Sequence, residues 1–422
     1  MTDKKIDQLA EKLAFSAGEG KNKVFKEIWN LGQEKNVLPA SINDFYLARG
    51  REEIPLDFTV PAINLRGMTY DMARAVFKTA VQMKVGALIL ELARSEMGYT
   101  GQPPQEYAGV VITAAVREGF QGPLFIQGDH FQVKKIARPG VPEKGEIEEI
   151  KELIKQSVEA GFYNIDIDCS TLVDYSPQDI YQQQKANFQY SAQLANYTRS
   201  LEPQGVVVSL GGEIGHIGGK NSTEEELIAY IKGFNQLLEK GKVGLSKVSI
   251  QTGTHHGGVV LPDGSLADVS VDFDTLKRLA RTCRQLGMGG TVQHGASTLP
   301  DDFFAQFPQS EAVEVHLATG FQNIIMEHPK FPEELLTEIY NWLDKEKKNE
   351  RKKDWTDEQF HYKLRKKAWG QFKKQAWSIK EEAKKEIRTA LEKRFAFMFT
   401  ELKVDKTKDL VTSWVKPVKM NK

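Results

Sequence analysis

The 422-residue chain contains eight histidines, and four of them fall just behind short apolar runs: His130 in "LFIQGDHFQ", His255 and His256 in "QTGTHHGG", and His294 in "VQHGAST". Neutral imidazoles delivered from separate strands to one rim can form a facial set around a divalent ion, with an open position for water or substrate. A lone histidine at a strand end is commonly structural, but His130, His256 and His294 together point to a metal. Zinc suits such a site, and cobalt, manganese or iron also fit. Acids sit beside them. Asp129 directly precedes His130, Asp168 ends "NIDID", and Glu213 follows "VVVSLGG". Neighbours on a strand point to opposite faces. Asp129 is therefore read as a poor co-ligand and as a better proton-transfer group beside a bound substrate. Asp168 and Glu213 are read as an alternative metal position or as groups that orient the histidines.

Glycines gather at the same places: Gly211, Gly212, Gly215, Gly218 and Gly219; Gly253, Gly257 and Gly258; Gly289, Gly290 and Gly295. Backbone N–H groups exposed by such turns can cradle a phosphate. Ser297 and Thr319 would add hydroxyls to that cradle.

What positions these residues is a repeated pattern. Eight apolar runs recur: Phe58–Ile63, Ala87–Leu92, Leu124–Gln127, Asn164–Asp168, Val206–Leu210, Lys247–Thr252, Gly290–Gln293 and Val313–Leu317. Amphipathic stretches lie between them, for example "STEEELIAYIKGFNQLLEKG", which opens on a capping-box pattern at Ser222 and Glu225. Eight β-α units predict a closed parallel (β/α)8 barrel, in which chemistry collects at the C-terminal strand ends. An open doubly wound sheet is the runner-up, and no Gly-rich dinucleotide fingerprint follows the first run. Residues 1–50 read as a helical extension, a cap or a dimerisation arm. Residues 51–328 read as the barrel, and 329–422 as a helical extension packed on it. In that last part "KKQAWSIKEEAKKEIRTALEKRFAFMF" reads as one long helix, with basic residues able to reach a phosphate.

Charge is balanced, with 57 acidic and 57 basic side chains, so no general attraction to nucleic acid or an anionic membrane is implied. No run approaches the roughly 20 apolar residues of a membrane span. Two cysteines and a polar, amphipathic N-terminus suggest a cytoplasmic address.

In their order and spacing, "QGDH", "GTHHGG" and "VQHGAS" resemble the metal-dependent class II ketose-bisphosphate aldolases. The resemblance runs from "VPAINLRGMTYDMARAVFKTA" to "HLATGFQN". It implies that His130, His256 and His294 hold zinc, that Asp129 is the catalytic aspartate, and that Asp168 and Glu213 form a second, inward metal position. It also implies a possible monovalent cation, a phosphate site including Gly257, Gly295, Ala296, Ser297, Ala318 and Thr319, and contacts to substrate from Asn64 and His316. The implied reaction is reversible cleavage of fructose 1,6-bisphosphate, as in glycolysis and gluconeogenesis, by a homodimer or homotetramer. Tagatose 1,6-bisphosphate is the second choice. "GYTGQPPQEY" is similar to the non-catalytic partner subunit of tagatose-bisphosphate aldolases, which generally lacks the two His-Gly motifs kept here. There are departures. The loop after Glu213 is short, and Glu224 to Glu226 read as the first turn of the next helix. The proton carrier at the nucleophilic carbon is therefore unassigned, with His216 one candidate. His316 stands where the family has Asn, and Ala296 where it has Gly.

Overall fold

A computed structural model describes residues 1–215, 220–253, 261 and 271–420. Each of the eight apolar runs supplies one barrel strand. The strands are β1 Val60–Asn64, β2 Ile89–Ala93, β3 Gly122–Gln132, β4 Asn164–Asp168, β5 Ser209–Glu213, β6 Lys247–Ile250, β7 Thr291–Gln293 and β8 Glu314–Leu317. Every strand is parallel to the next, and β8 returns to β1 with Glu314 opposite Val60. The closed (β/α)8 barrel is thus formed, and the open sheet is excluded.

Two strand boundaries move for local reasons. β5 begins three residues after the start of its run, because Val206 belongs to a turn in which its N–H donates to the Pro203 carbonyl at 3.0 Å. It continues instead through Gly211 and Gly212. A Cβ at Gly211 would lie 2.2 Å from an Asp166 carboxylate oxygen, so only glycine lets β4 and β5 carry that acid inward. The other boundary, at the end of β3, makes the site and is described below. The helix after β5 is capped by Thr223 with Glu226, one residue beyond the expected pair, because the Ser222 hydroxyl instead accepts the Gln251 N–H at 3.0 Å.

The extensions are packed structure. Helix Asp3–Phe15 lies on helix Pro104–Arg117 so closely that a Cβ at Gly109 would meet Leu13 at 2.2 Å. A further short strand, Val37–Ala40, pairs with the first half of β3 before β4 takes over at Gln127. The buried Asn164 amide stitches the three together, donating to the carbonyls of Ala40 and Ile126 and accepting from Ile42 N–H. At the other end, the expected single helix is two, Lys373–Trp377 and Glu381–Glu401. The chain turns between them so that Trp377 stacks on Tyr70 and Ile379 is buried. Buried Arg388 then pins the second helix to Asp71 of helix Thr69–Met83 at 2.5 Å. The segment before this turn docks directly on the mouth loops. A Cβ at Gly67 would lie 2.2 Å from the Trp369 ring, and one at Gly370 would lie 2.3 Å from the Tyr99 carbonyl.

Candidate metal centre and anion-binding mouth

β3 does not stop at Gln127. It runs to Gln132 through a bulge in which Gly128 pairs with Ile165 and Phe131 with Ile167, leaving Asp129 and His130 between them. His130 takes a left-handed backbone, φ +41°, and the Phe131 ring folds over Gly128, where a Cβ would collide at 2.4 Å. Strand alternation is thereby broken, which corrects the expectation that Asp129 points away from the ligands. Asp129 Oδ1 lies 3.8 Å from His130 Nε2 and 3.6 Å from His294 Nε2, and these three ligand atoms form one compact group. The His130 and His294 rings stack with centroids 4.3 Å apart.

On the other side of His130, Nδ1 lies 3.1 Å from both Asp168 and Glu213, so the pair predicted on adjacent strands does meet one histidine. Burial works against ionising Asp168, but contacts from His130 and Ser170 outweigh it and hold the acid down to about 2. Glu213 shares His130, but that contact does not outweigh its burial. Burial and the neighbouring Asp168 push it up to about 8. Burial, with His316 and His130 nearby, holds His294 down to about 3, in the neutral form that ligates metals. Nitrogen and carboxylate donors in this mixture fit a borderline divalent ion such as zinc. His256 and Gly257 lie outside the described residues, as does His216.

A cavity of about 360 Å³ opens over this group. Of the predicted contacts, Asn64, Gly295, Ser297, His316, Ala318 and Thr319 line it, whereas Ala296 is fully buried and does not. Gly295 adopts φ +73°, a conformation that suits glycine. Helix Thr319–Met326 starts at the rim, its Gly320 N–H bonded to the Ser297 hydroxyl at 3.2 Å. The Asn64 amide is held by Glu96 at 2.5 Å.

Sequence reasoning missed three cations on the same wall: Arg66 after β1, Lys134 after β3, and Lys366 from the C-terminal extension. Arg66 donates to the Thr319 hydroxyl at 3.3 Å and pairs with Glu96 at 3.5 Å. Burial, together with the nearby Arg66 charge, lowers Lys366 to about 8. A second set was missed: Glu91, which lines the cavity, and Asp166, Lys247 and Glu314 below it, all inward-facing strand residues. Their signal was charge placed at period two inside apolar runs, "LEL", "NIDID" and "VEVHL".

A parallel barrel whose strand ends gather imidazoles, carboxylates and anion-binding groups is the scaffold of a metal-dependent barrel enzyme. The profile of the family Fructose-bisphosphate aldolase class-II matches residues 56–397, and the chain belongs to that family. Its members are in general metal-dependent lyases. A search of curated proteins finds no match. Solved structures share the fold at low identity. A probable tagatose 6 phosphate kinase from Sinorhizobium meliloti is 16% identical with TM-score 0.59, over 83% of this chain and 100% of that one. A fructuronate-tagaturonate epimerase from Cohnella laeviribosi is 12% identical with TM-score 0.59, over 93% and 90%. The fructose-bisphosphate aldolase of Campylobacter jejuni is 16% identical with TM-score 0.51, over 88% and 98%. Among the described residues no helix is long and apolar enough to cross a membrane.

Proposed function

We propose that the chain is a zinc-type divalent-metal aldolase that reversibly cleaves fructose 1,6-bisphosphate to dihydroxyacetone phosphate and glyceraldehyde 3-phosphate. The observation that carries this reading is one cavity lined both by the Asp129–His130–His294 group and by two kinds of anion donor. The donors are the Gly295, Ser297 and Thr319 turn and the cations Arg66, Lys134 and Lys366. A sugar carrying two phosphates needs both.

His130 and His294, with His256 implied by the family likeness, would hold the ion, and Asp168 orients His130 through Nδ1. When bound, the ion supplies Lewis-acid polarisation of the substrate carbonyl. The remaining work falls to the chain. His130 and His316 hold Asp129 as a carboxylate even against its burial, so it can accept the C4 hydroxyl proton. As that O–H bond breaks, the C4 aldehyde forms, the C3–C4 bond opens, and its electron pair stays with the three-carbon phosphate. A proton added at that carbon completes dihydroxyacetone phosphate. The Ser297 and Thr319 rim, with Arg66 3.3 Å from the Thr319 hydroxyl, and the cations Lys134 and Lys366 supply the phosphate contacts.

Coupled-enzyme turnover of fructose 1,6-bisphosphate and of its C4 epimer tagatose 1,6-bisphosphate tests the reading. The purified chain alone should cleave the fructose sugar faster, and chelation should abolish the rate. Faster cleavage of the epimer would reassign the substrate. No turnover of either by a metal-loaded chain would favour a non-catalytic partner subunit.

A further inference from the structure

Resting on that reading, we propose that the barrel mouth holds two divalent-cation positions bridged by Asp129: one at His130 and His294, and a second at His316 and Glu91. The second position begins with the tautomer of His316. Its Nε2 lies 2.7 Å from Glu314 Oε1 in a hydrogen bond. Glu314 cannot swing to any other role, because Lys247 donates to it at 2.5 Å and the Tyr46 hydroxyl at 2.5 Å. A cation bound here would displace the Nδ1 proton of His316, leave its proton on Nε2 and turn the Nδ1 lone pair the other way. There it faces Glu91 Oε2 at 3.0 Å and Asp129 Oδ1 at 3.3 Å.

Neither contact has hydrogen-bond geometry, and Nδ1 is buried without a hydrogen-bond partner in a side chain only 5% exposed. These three atoms, aimed at a common point, repel one another unless a proton or a metal cation sits between them. The arrangement is also that of a metal-ligating histidine, whose other ring nitrogen is anchored by a carboxylate. The atoms of Glu91, Asp129 and His316 lie within 4.8 Å of one another, as do those of Asp129, His130 and His294, and Asp129 belongs to both groups.

Charge points the same way. Glu91, Asp129, Asp166, Asp168, Glu213 and Glu314 are each at most 6% exposed. Among the described residues, Lys247 is the one lysine or arginine that ion-pairs with any of them. The stretches 216–219, 254–260 and 262–270 carry neither Lys nor Arg. Uncompensated carboxylates are costly to bury. Were all six ionised, one ammonium and one divalent ion would leave half of this negative charge unbalanced, and a second divalent ion would remove most of it. One imidazole with two carboxylates suits manganese, iron or zinc.

The test is metal content, which does not depend on substrate. The full chain is stripped, reloaded with Mn2+, and analysed by elemental analysis and electron paramagnetic resonance. Two Mn2+ per chain and an exchange-coupled spectrum are expected. Glu91→Gln and His316→Asn should each reduce the count to one and restore the spectrum of an isolated ion. One ion per chain in the wild type overturns the proposal, and bisphosphate cleavage by that one-ion protein would leave the aldolase reading standing. Loss of the second ion in Asp168→Asn, but not in Glu91→Gln, also overturns it, since that ion would then sit beside His130. Binding of no Mn2+ overturns both readings. Should the variants fail to fold, the wild-type count and coupling still decide.

Discussion

Two levels of the barrel interior use the same residue types and end differently. In the lower one, Lys247 donates to Gln127 at 2.7 Å and pairs with Asp166 at 3.0 Å and Glu314 at 2.5 Å, while Gln127 donates to Glu91 and Glu314. Donors there meet acceptors at hydrogen-bonding distance. In the upper one, carboxylate oxygens face imidazole nitrogens at 3.0 to 3.8 Å and no ammonium intervenes. A buried polar network that is fully satisfied holds a shape. One whose acceptors converge without a donor is built around something that arrives later. The difference separates scaffold from site without reference to any relative.

The comparison breaks first if the lower level is not structural. Lys247→Met leaves Asp166 and Glu314 buried without their cation, and removing one partner of such a pair costs about 3–5 kcal/mol. Urea unfolding should show a loss of that size, with metal saturating in both proteins. A loss below about 1 kcal/mol would mean that these acids simply take up protons. At the upper level the expected damage is to rate. Asp129→Asn should lower kcat about 10²- to 10⁴-fold, the range for a lost proton acceptor, with the far-ultraviolet spectrum unchanged. Retained turnover would remove Asp129 from the chemistry. Chelation ranks third. If the upper level is completed by a cation, wild-type protein at 100 to 1,000 times its Kd for metal gains about 3–4 kcal/mol. Stripping should therefore lower the unfolding midpoint of the wild type, and lower that of His294→Ala by less.

Much of this was legible in the chain. Apolar runs set the eight strands, and the strand-end motifs brought Asp129, His130, Asp168, Glu213 and His294 together. Two things were hidden, for physical reasons. The β3 bulge depends on Phe131 packing over Gly128, a tertiary contact that no periodicity announces, and it reverses the face Asp129 takes. The contribution of Lys366 was hidden because it comes from 3₁₀ helix Arg365–Ala368, some three hundred residues after β1 in the chain. Only the docking of Trp369 on Gly67 brings it to the mouth. By contrast, the acids of "NIDID" could have been read. Residues two apart share a face, so Asp166 and Asp168 both had to point inward.

The smallest predicted effect lies above both levels, at the rim, where cations gather with no partner of their own kind. Lys366 is lowered to about 8 by burial and by Arg66. A lysine in that state is an ammonium below pH 8 and neutral above it, so it can bind an anion only on the acid side. Affinity for a phosphorylated substrate should therefore hold from pH 6 to 8 and fall as pH rises through 8, with KM climbing and kcat following its own profile. Removing a charged donor of this kind costs about 1–2 kcal/mol, roughly 5- to 30-fold in KM. Lys366→Met should show that higher KM at every pH. Lys366→Arg, which stays charged, should keep a low KM beyond pH 9. If the arginine variant instead loses affinity at the same pH as the wild type, the titrating group is elsewhere, and the C-terminal extension braces the mouth without touching what enters it.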